Sequence, residues 1–150
     1  LKQLGFISQV PTIYAIQAEN SSALYRAFKK ESGQFDFQSS STVADSICVD
    51  IPRNGYHALK RLKDNSGQVV TVTDQQILEA QKLLSSTTGL FAEPAGAAAV
   101  AGFLKVKENL NPKATTVILT TGNGLKDISS ALKILNVPQQ AIKSIQEIGQ

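Results

Sequence analysis

The sequence predicts an α/β fold in which a mostly parallel β-sheet is flanked by helices. Segments rich in β-branched and apolar residues alternate along the chain with segments of helical periodicity, as right-handed crossover connections require. One such segment, Thr115–Thr121, is nearly continuous in apolar and β-branched residues, which is typical of a strand buried on both faces. The predicted strands are Thr12–Ala18, Gln68–Thr73, Leu90–Ala92 and Thr115–Thr121. At 150 residues, the chain is one domain or a piece of one.

The first half of the chain contains short helices and one long loop. Leu1–Gly5 is interpreted as a helix end that stops at Gly5. Polar N-cap side chains precede the amphipathic segment Ala23–Lys30, which is predicted to be a helix. Ser32–Ser41 lacks any periodicity and is predicted to be a surface loop. Two further predicted helices follow, Val43–Ile47 with Thr42 as its cap and Tyr56–Lys63.

The second half contains the stronger helix signals. Thr73 and Asp74 are predicted to cap the helix Gln75–Leu84, whose apolar stripe includes Leu83. Pro94 is tolerated in the first turn of the next helix, Ala95–Val106, whose small side chains allow close packing against a neighbour. Asn111-Pro112 predicts a turn. The last predicted helices are Leu125–Leu135 and Gln139–Ile148.

Composition argues against several classes of function. No run approaches the ~18 apolar residues that cross a membrane. The net charge is +3, and the basic clusters Lys29-Lys30 and Lys60-Arg61-Lys63 lack the interleaved aromatic residues of a nucleic-acid site. The single cysteine, Cys48, excludes an internal disulfide and has no zinc-type partners. We therefore predict no membrane, nucleic-acid or metal partner, and we interpret Cys48 as a buried thiol rather than a nucleophile paired with His57.

The end of the last predicted strand is the candidate ligand site. Thr120 and Thr121 place hydroxyl groups where strand becomes loop, and Gly122 and Gly124 follow them. Glycine permits positive φ and lets a ligand approach the backbone closely. In open α/β sheets, ligands bind outside the carboxyl ends of the strands. The alternative is a tight turn after a core strand, with threonines present for their β-propensity.

Three segments in the same order resemble threonine synthase, a pyridoxal-phosphate enzyme of the tryptophan-synthase-β fold type. Thr121–Asp127, Thr-Gly-Asn-Gly-Leu-Lys-Asp, resembles the signature Thr-Gly-x-Gly-Leu-Lys-Asp of that family. Gly89–Ala99 is similar to its Gly-x-x-x-Glu-Pro-Ala-[Ser/Gly]-Ala-Ala segment, and Asp74–Ala80 is similar to the helix start Thr-Asp-Glu-Glu-Ile. The family's imine lysine and phosphate loop lie in its N-terminal half, so the resemblance implies that residues 1–150 are a C-terminal fragment of the catalytic region, inactive alone.

The resemblance also implies a set of cofactor-binding residues. Thr121 takes the position that faces the pyridine nitrogen, and Gly122 lies at the ring edge. Ser46 falls where a small residue lines the ring face, and Glu93 lies near the ring, although it could equally cap the following helix. Val49–Asn54 departs from the family's usual Ile-Gly-Asn-Pro run, and its Arg53 is interpreted as a solvated loop residue rather than a phosphate ligand.

The implied reaction converts O-phospho-L-homoserine and water into L-threonine and phosphate. A small-molecule amino-acid substrate, a homodimer and a cytoplasmic location go with it. Two alternatives remain open. One is another enzyme of the same fold type, such as threonine dehydratase or a cysteate-synthase-like replacement enzyme, and the other is a non-catalytic α/β module that keeps the scaffold for assembly.

Overall fold

The sheet consists of two parallel strands. The computed structural model describes residues 1–135 of the chain. Strand β1, Tyr14–Ala18, pairs in parallel with β2, Gln68–Val72, and Ile16 lies opposite Val70. The predicted parallel arrangement is confirmed for this pair. The segment between the strands crosses over through two helices, as a parallel connection requires.

The helices predicted between residues 23 and 106 are present, although some bounds differ and Val43–Ile47 contains only a 3₁₀ turn. The prediction for Gln139–Ile148 lies outside the described residues. Leu1–Gly5 forms a hydrogen-bonded turn instead of a helix end, and Gly5 closes it with φ +74°. The helices are α1 (Ala23–Lys29), α2 (Gly55–Asp64), α3 (Asp74–Thr88), α4 (Pro94–Val106) and α5 (Ile128–Leu132), with 3₁₀ turns at Asp45–Ile47, Lys107–Asn109 and Gly124–Lys126.

Helix α3 begins as predicted and ends later. The Thr73 hydroxyl accepts from the Gln76 amide while the Gln76 side chain accepts from the Thr73 amide, which is a complete capping box. At the other end, the hydroxyls of Thr87 and Thr88 donate to the carbonyls of Leu83 and Leu84. These hydroxyls satisfy backbone groups of the last turn, so the polar run extends the helix to Thr88.

The core lies between the sheet, α3 and α4. Ile77 of α3 is fully buried, and Val72 of β2 is 1% exposed. The small side chains of α4 let it pack closely against its neighbours, as predicted. At Gly102 a β-carbon would overlap the Ile16 side chain of β1, so glycine is required there by space.

Two of the four predicted strands are wrong for this structure. Leu90–Ala92 forms only an isolated antiparallel bridge, between Ala92 and Asn123. Thr115–Thr121 has no regular secondary structure, and its Val117 and Leu119 are 77% and 74% exposed. A strand needs a neighbour that exchanges backbone hydrogen bonds with it. Within residues 1–135, β1 and β2 pair with each other and leave this segment without a partner strand.

The helix predicted over Leu125–Leu135 is broken into two pieces. The Asp127 side chain accepts from the Ser130 amide and restarts the chain as α5 after the 3₁₀ turn Gly124–Lys126. An N-cap residue has non-helical dihedrals, and Asp127 has φ −144° and ψ 72°. The cap therefore interrupts the helix that periodicity alone predicts.

Candidate functional site

Glu93 joins three separate segments of the chain. It precedes α4 and is 8% exposed. Its backbone amide donates to the Gly122 carbonyl at 2.8 Å. On the carboxylate, Oε1 accepts from the Ser46 hydroxyl at 3.3 Å, and Oε2 lies 3.4 Å from Lys126 Nζ. The buried charge is thus both hydrogen-bonded and paired, which offsets the cost of its desolvation.

Gly122 is a glycine because of space and not because of backbone conformation. The glycines with positive φ in the described residues are Gly5, Gly33 and Gly89. A β-carbon on Gly122, in contrast, would overlap the Glu93 carboxylate. The expectation of close approach is met by a side chain of the protein itself, whereas positive φ at this loop residue is wrong.

The loop after Thr121 is fastened to the segment before α4 by the isolated bridge. Besides the Glu93–Gly122 hydrogen bond, the Gly124 amide donates to the Phe91 carbonyl at 2.8 Å. The Phe91 ring packs directly on Gly124, where a β-carbon would lie 2.6 Å from it. These contacts make residues 91–93 and 122–124 one structural unit.

Thr121 opens onto a cavity of about 540 Å³. The Thr121 side chain is exposed, and Thr120 and Asn123 line the same cavity. The Thr121 amide lies close to α4, 3.1 Å from the position of a β-carbon on Gly96. A second cavity of about 310 Å³ is lined by Ser46 and Glu93. The structure therefore brings Ser46, Glu93 and Gly122 into contact, and it directs Thr121 to a separate cavity.

Ser46 is held in place by hydrogen bonds around its 3₁₀ turn. The buried Ser21 hydroxyl donates to the Ile47 carbonyl at 3.1 Å and accepts from the Val49 amide at 2.9 Å. On the other side, the Val43 amide donates to the Asp74 carboxylate at 3.0 Å. The turn that presents Ser46 is thus anchored to the start of α1 and to the start of α3.

Charged groups surround the smaller cavity. Asp45, Lys126 and Asp127 line it together with Glu93. Hydrogen bonds from the Ser130 and Ser129 side chains, and from the Ser130 amide, hold the pKa of Asp127 below its usual value of 3.8. Arg53 is exposed and lines neither cavity, which agrees with its interpretation as a solvated residue. Cys48 is half-buried and not fully buried as expected.

A family model described as pyridoxal-phosphate dependent enzyme matches residues 1–122. The chain belongs to this family. Curated relatives are threonine synthases. That of Methanocaldococcus jannaschii is 34% identical over 137 residues, covering 89% of this chain and 34% of the relative. That of Synechocystis sp. is 36% identical over 132 residues, covering 88% and 33%. The chain spans about a third of the length of these relatives. The resemblance to threonine synthase is confirmed.

Solved structures of pyridoxal-phosphate family type share the fold. A fungal L-serine ammonia-lyase from Rhizomucor miehei aligns with a TM-score of 0.62 at 19% identity, covering 89% of this chain and 44% of that one. A threonine deaminase from T.th. aligns with a TM-score of 0.56 at 22% identity, covering 67% and 36%. These likenesses confirm the predicted α/β class.

Two residues of this family member were not singled out by sequence reasoning. Lys126 lies inside the Gly-Leu-Lys-Asp motif, but its pairing with Glu93 depends on the fold. Gln81 occupies the buried face of α3, whereas Leu83, predicted to be in that face, is 43% exposed. A polar residue four positions after Ile77 in an apolar stripe was the available signal for Gln81.

The described part of the chain contains neither a metal cluster nor a membrane span. Among residues 1–135, no three His, Cys, Asp or Glu side chains are grouped to hold a metal ion. No helix in the same range is long and apolar enough to cross a membrane.

Proposed function

We propose that this chain is the C-terminal part of a threonine synthase, which converts O-phospho-L-homoserine and water into L-threonine and phosphate. The observation that carries the proposal is the identity to curated threonine synthases, 34% and 36% across most of the chain, together with the three motifs. The T-G-N-G-L-K-D segment is the most specific of these motifs. Two of its backbone groups form the bridge to residues 91–93.

Thr121 is proposed to meet the pyridine nitrogen of pyridoxal phosphate. That cofactor, when bound, acts as an electron sink for carbanions formed on the amino acid. The exposed hydroxyl of Thr121 beside a cavity of about 540 Å³ supports this role. A hydroxyl is neutral and both donates and accepts a hydrogen bond. It therefore holds the nitrogen without forcing its protonation, as a carboxylate would, which suits elimination and replacement at the β and γ carbons.

Gly122, Glu93 and Ser46 are proposed to form the support of that edge of the ring. The absence of a β-carbon at Gly122 leaves the space that the Glu93 carboxylate fills. The Ser46 and Lys126 contacts then orient the carboxylate from two sides. In this proposal Glu93 acts on the cofactor mainly by holding the loop that carries Thr121.

A second function of the same fold type is the deamination of hydroxyl amino acids. The solved neighbours described as threonine deaminase and L-serine ammonia-lyase favour it only at the level of fold, since both are under 25% identical. A cysteate-synthase-like replacement enzyme and a non-catalytic module are the remaining candidates. Leu125-Lys126-Asp127, which resembles the threonine synthase signature, argues for the proposed reaction over deamination.

The partners proposed with this function are a small-molecule amino-acid substrate and a second copy of the complete enzyme. The homodimer and the cytoplasmic location rest on the resemblance and are part of the proposal.

The deciding experiment measures two products from the full-length protein that carries this chain. With pyridoxal phosphate, O-phospho-L-homoserine should release phosphate and threonine in equal amounts, whereas threonine or serine should release little ammonia. Ammonia from threonine or serine without phosphate from O-phosphohomoserine would assign the protein to the deaminases. No turnover of any of these substrates, with no bound cofactor, would favour the non-catalytic module.

A further inference from the structure

Gln81 is a polar side chain in the centre of an apolar face. It is 1% exposed, whereas its neighbours Ile77, Leu78 and Leu84 on the same face of α3 are apolar. Nε2 donates to the Ala92 carbonyl at 2.8 Å, but Oε1 is buried without a partner among residues 1–135. A buried polar atom without a partner costs free energy. Core packing would be served better by an apolar side chain, so the bond to Ala92 needs another explanation.

The bond to Ala92 acts on the bridge that holds the Thr121 loop. Ala92 lies opposite Asn123, and the hydrogen bonds of this bridge are made by the residues that flank the pair. In such a pair, the backbone groups of the two facing residues point away from each other. The Ala92 carbonyl is therefore free to accept from Gln81 on the side away from the loop. Gln81 thus ties α3 to residues 91–93, which in turn hold residues 122–124.

We infer that Gln81 is a positioning residue for the cofactor site: its amide holds the Ala92 bridge in register and so fixes the Thr121 hydroxyl. The inference rests on the proposed function, in which Thr121 meets the ring nitrogen. Gln81 itself touches neither cavity lining. Its effect reaches the cofactor only through Ala92 and the Glu93–Gly122 and Phe91–Gly124 hydrogen bonds.

The test substitutes Gln81→Met in the full-length protein and measures stability, cofactor affinity and amide exchange together. Methionine is unbranched like glutamine and close to it in length. It removes the unpaired Oε1, which is favourable, and the bond to Ala92, which is not. We therefore expect a thermal midpoint within roughly 2 °C of the parent protein. Pyridoxal-phosphate affinity should fall roughly fivefold to tenfold, the equivalent of one lost hydrogen bond.

Amide exchange supplies a measurement that does not depend on bound cofactor. In the cofactor-free protein, exchange of the Glu93 and Gly124 amides should accelerate about tenfold in Gln81→Met, because the bridge opens more often. Amides in the middle of α4 should keep their rates. The matched control is Ile77→Val, a core substitution on the same helix that changes packing without touching Ala92. It should leave both the exchange of these two amides and the cofactor affinity within twofold of the parent.

The outcomes separate this inference from the proposed function. If the parent protein binds pyridoxal phosphate and Thr121→Val weakens it, but Gln81→Met changes neither affinity nor exchange, the positioning role is wrong and the function stands. If exchange accelerates as expected in a protein that binds no pyridoxal phosphate, the proposed function fails and only the link to the bridge survives. Should Gln81→Met not fold, Gln81→Leu is measured the same way. If neither variant folds, Gln81 is a requirement of the core, and the positioning role is overturned.

Discussion

The Glu93 carboxylate fills the space where a side chain at Gly122 would begin. The same two residues are joined by a hydrogen bond from the Glu93 amide to the Gly122 carbonyl at 2.8 Å. Because the contact involves both the backbone and the side chain of Glu93, any atom added to Gly122 must displace the carboxylate. That movement would weaken its contacts with Ser46 and Lys126.

We expect Gly122→Ala to lower both stability and cofactor affinity in the full-length protein. The added methyl group overpacks a buried contact, which typically costs about 1–3 kcal/mol. Cofactor affinity should fall more than stability does, because the displaced loop carries Thr121. Thermal midpoint and pyridoxal-phosphate titration measure the two effects. A lower midpoint with unchanged affinity would make the loop a purely structural turn and place the cofactor site elsewhere.

The effect of Gly96→Ala should be opposite to the usual rule for helices. Alanine in a helix interior is normally better than glycine by roughly 0.5–1 kcal/mol. Here a β-carbon on Gly96 would lie 3.1 Å from the Thr121 amide nitrogen and 3.3 Å from the Gly122 carbonyl oxygen. These are backbone atoms that cannot rotate away, so we expect the midpoint to fall and cofactor affinity to fall with it. A raised midpoint with unchanged affinity would show that the helix has room for the methyl group.

Thr121→Val should preserve the fold and impair catalysis in the full-length protein. Valine is β-branched and similar in volume, and the side chain is exposed, so the midpoint should stay unchanged. The loss of the hydroxyl leaves the proposed partner nitrogen without a hydrogen bond, at a cost of about 1–3 kcal/mol in cofactor binding or turnover.

Thr116→Val is the control for Thr121→Val, because Thr116 is an exposed threonine of the same segment that lines neither cavity. It should change neither affinity nor turnover. Unchanged turnover in Thr121→Val with bound cofactor would remove Thr121 from the site.

Local signals predicted the elements that depend on local chemistry. The capping box at Thr73 and the proline at the start of α4 are contained within a few residues of sequence, and both helices are present. The segment Thr115–Thr121 has equally clear strand propensity but has no strand neighbour among residues 1–135. Its propensity is therefore not realised, because strand formation requires a second segment as well as suitable residues.

The site was predictable in its members and not in their contacts. Sequence motifs singled out Glu93 and Gly122, but their mutual contact depends on how residues 91–93 pack against residues 122–124. The same holds for Lys126, which belongs to a recognised motif and gains its partner only through the fold. Gln81 lay in no motif, and only its burial and its bond to Ala92 mark it out.

The isolated 150-residue chain should form no specific adduct with pyridoxal phosphate and should be catalytically silent. In the family that the chain resembles, the imine lysine and the phosphate loop lie in the N-terminal half, which these residues do not match. Without a lysine at the ring and a phosphate-binding loop, the cofactor has neither a covalent anchor nor a cradle for its phosphate. The measurement is the absorbance of the chain after addition of pyridoxal phosphate, followed by borohydride reduction and peptide mapping. Scattered substoichiometric labelling of exposed lysines agrees with the expectation, whereas a stoichiometric adduct on one lysine of this chain would overturn its assignment as a fragment.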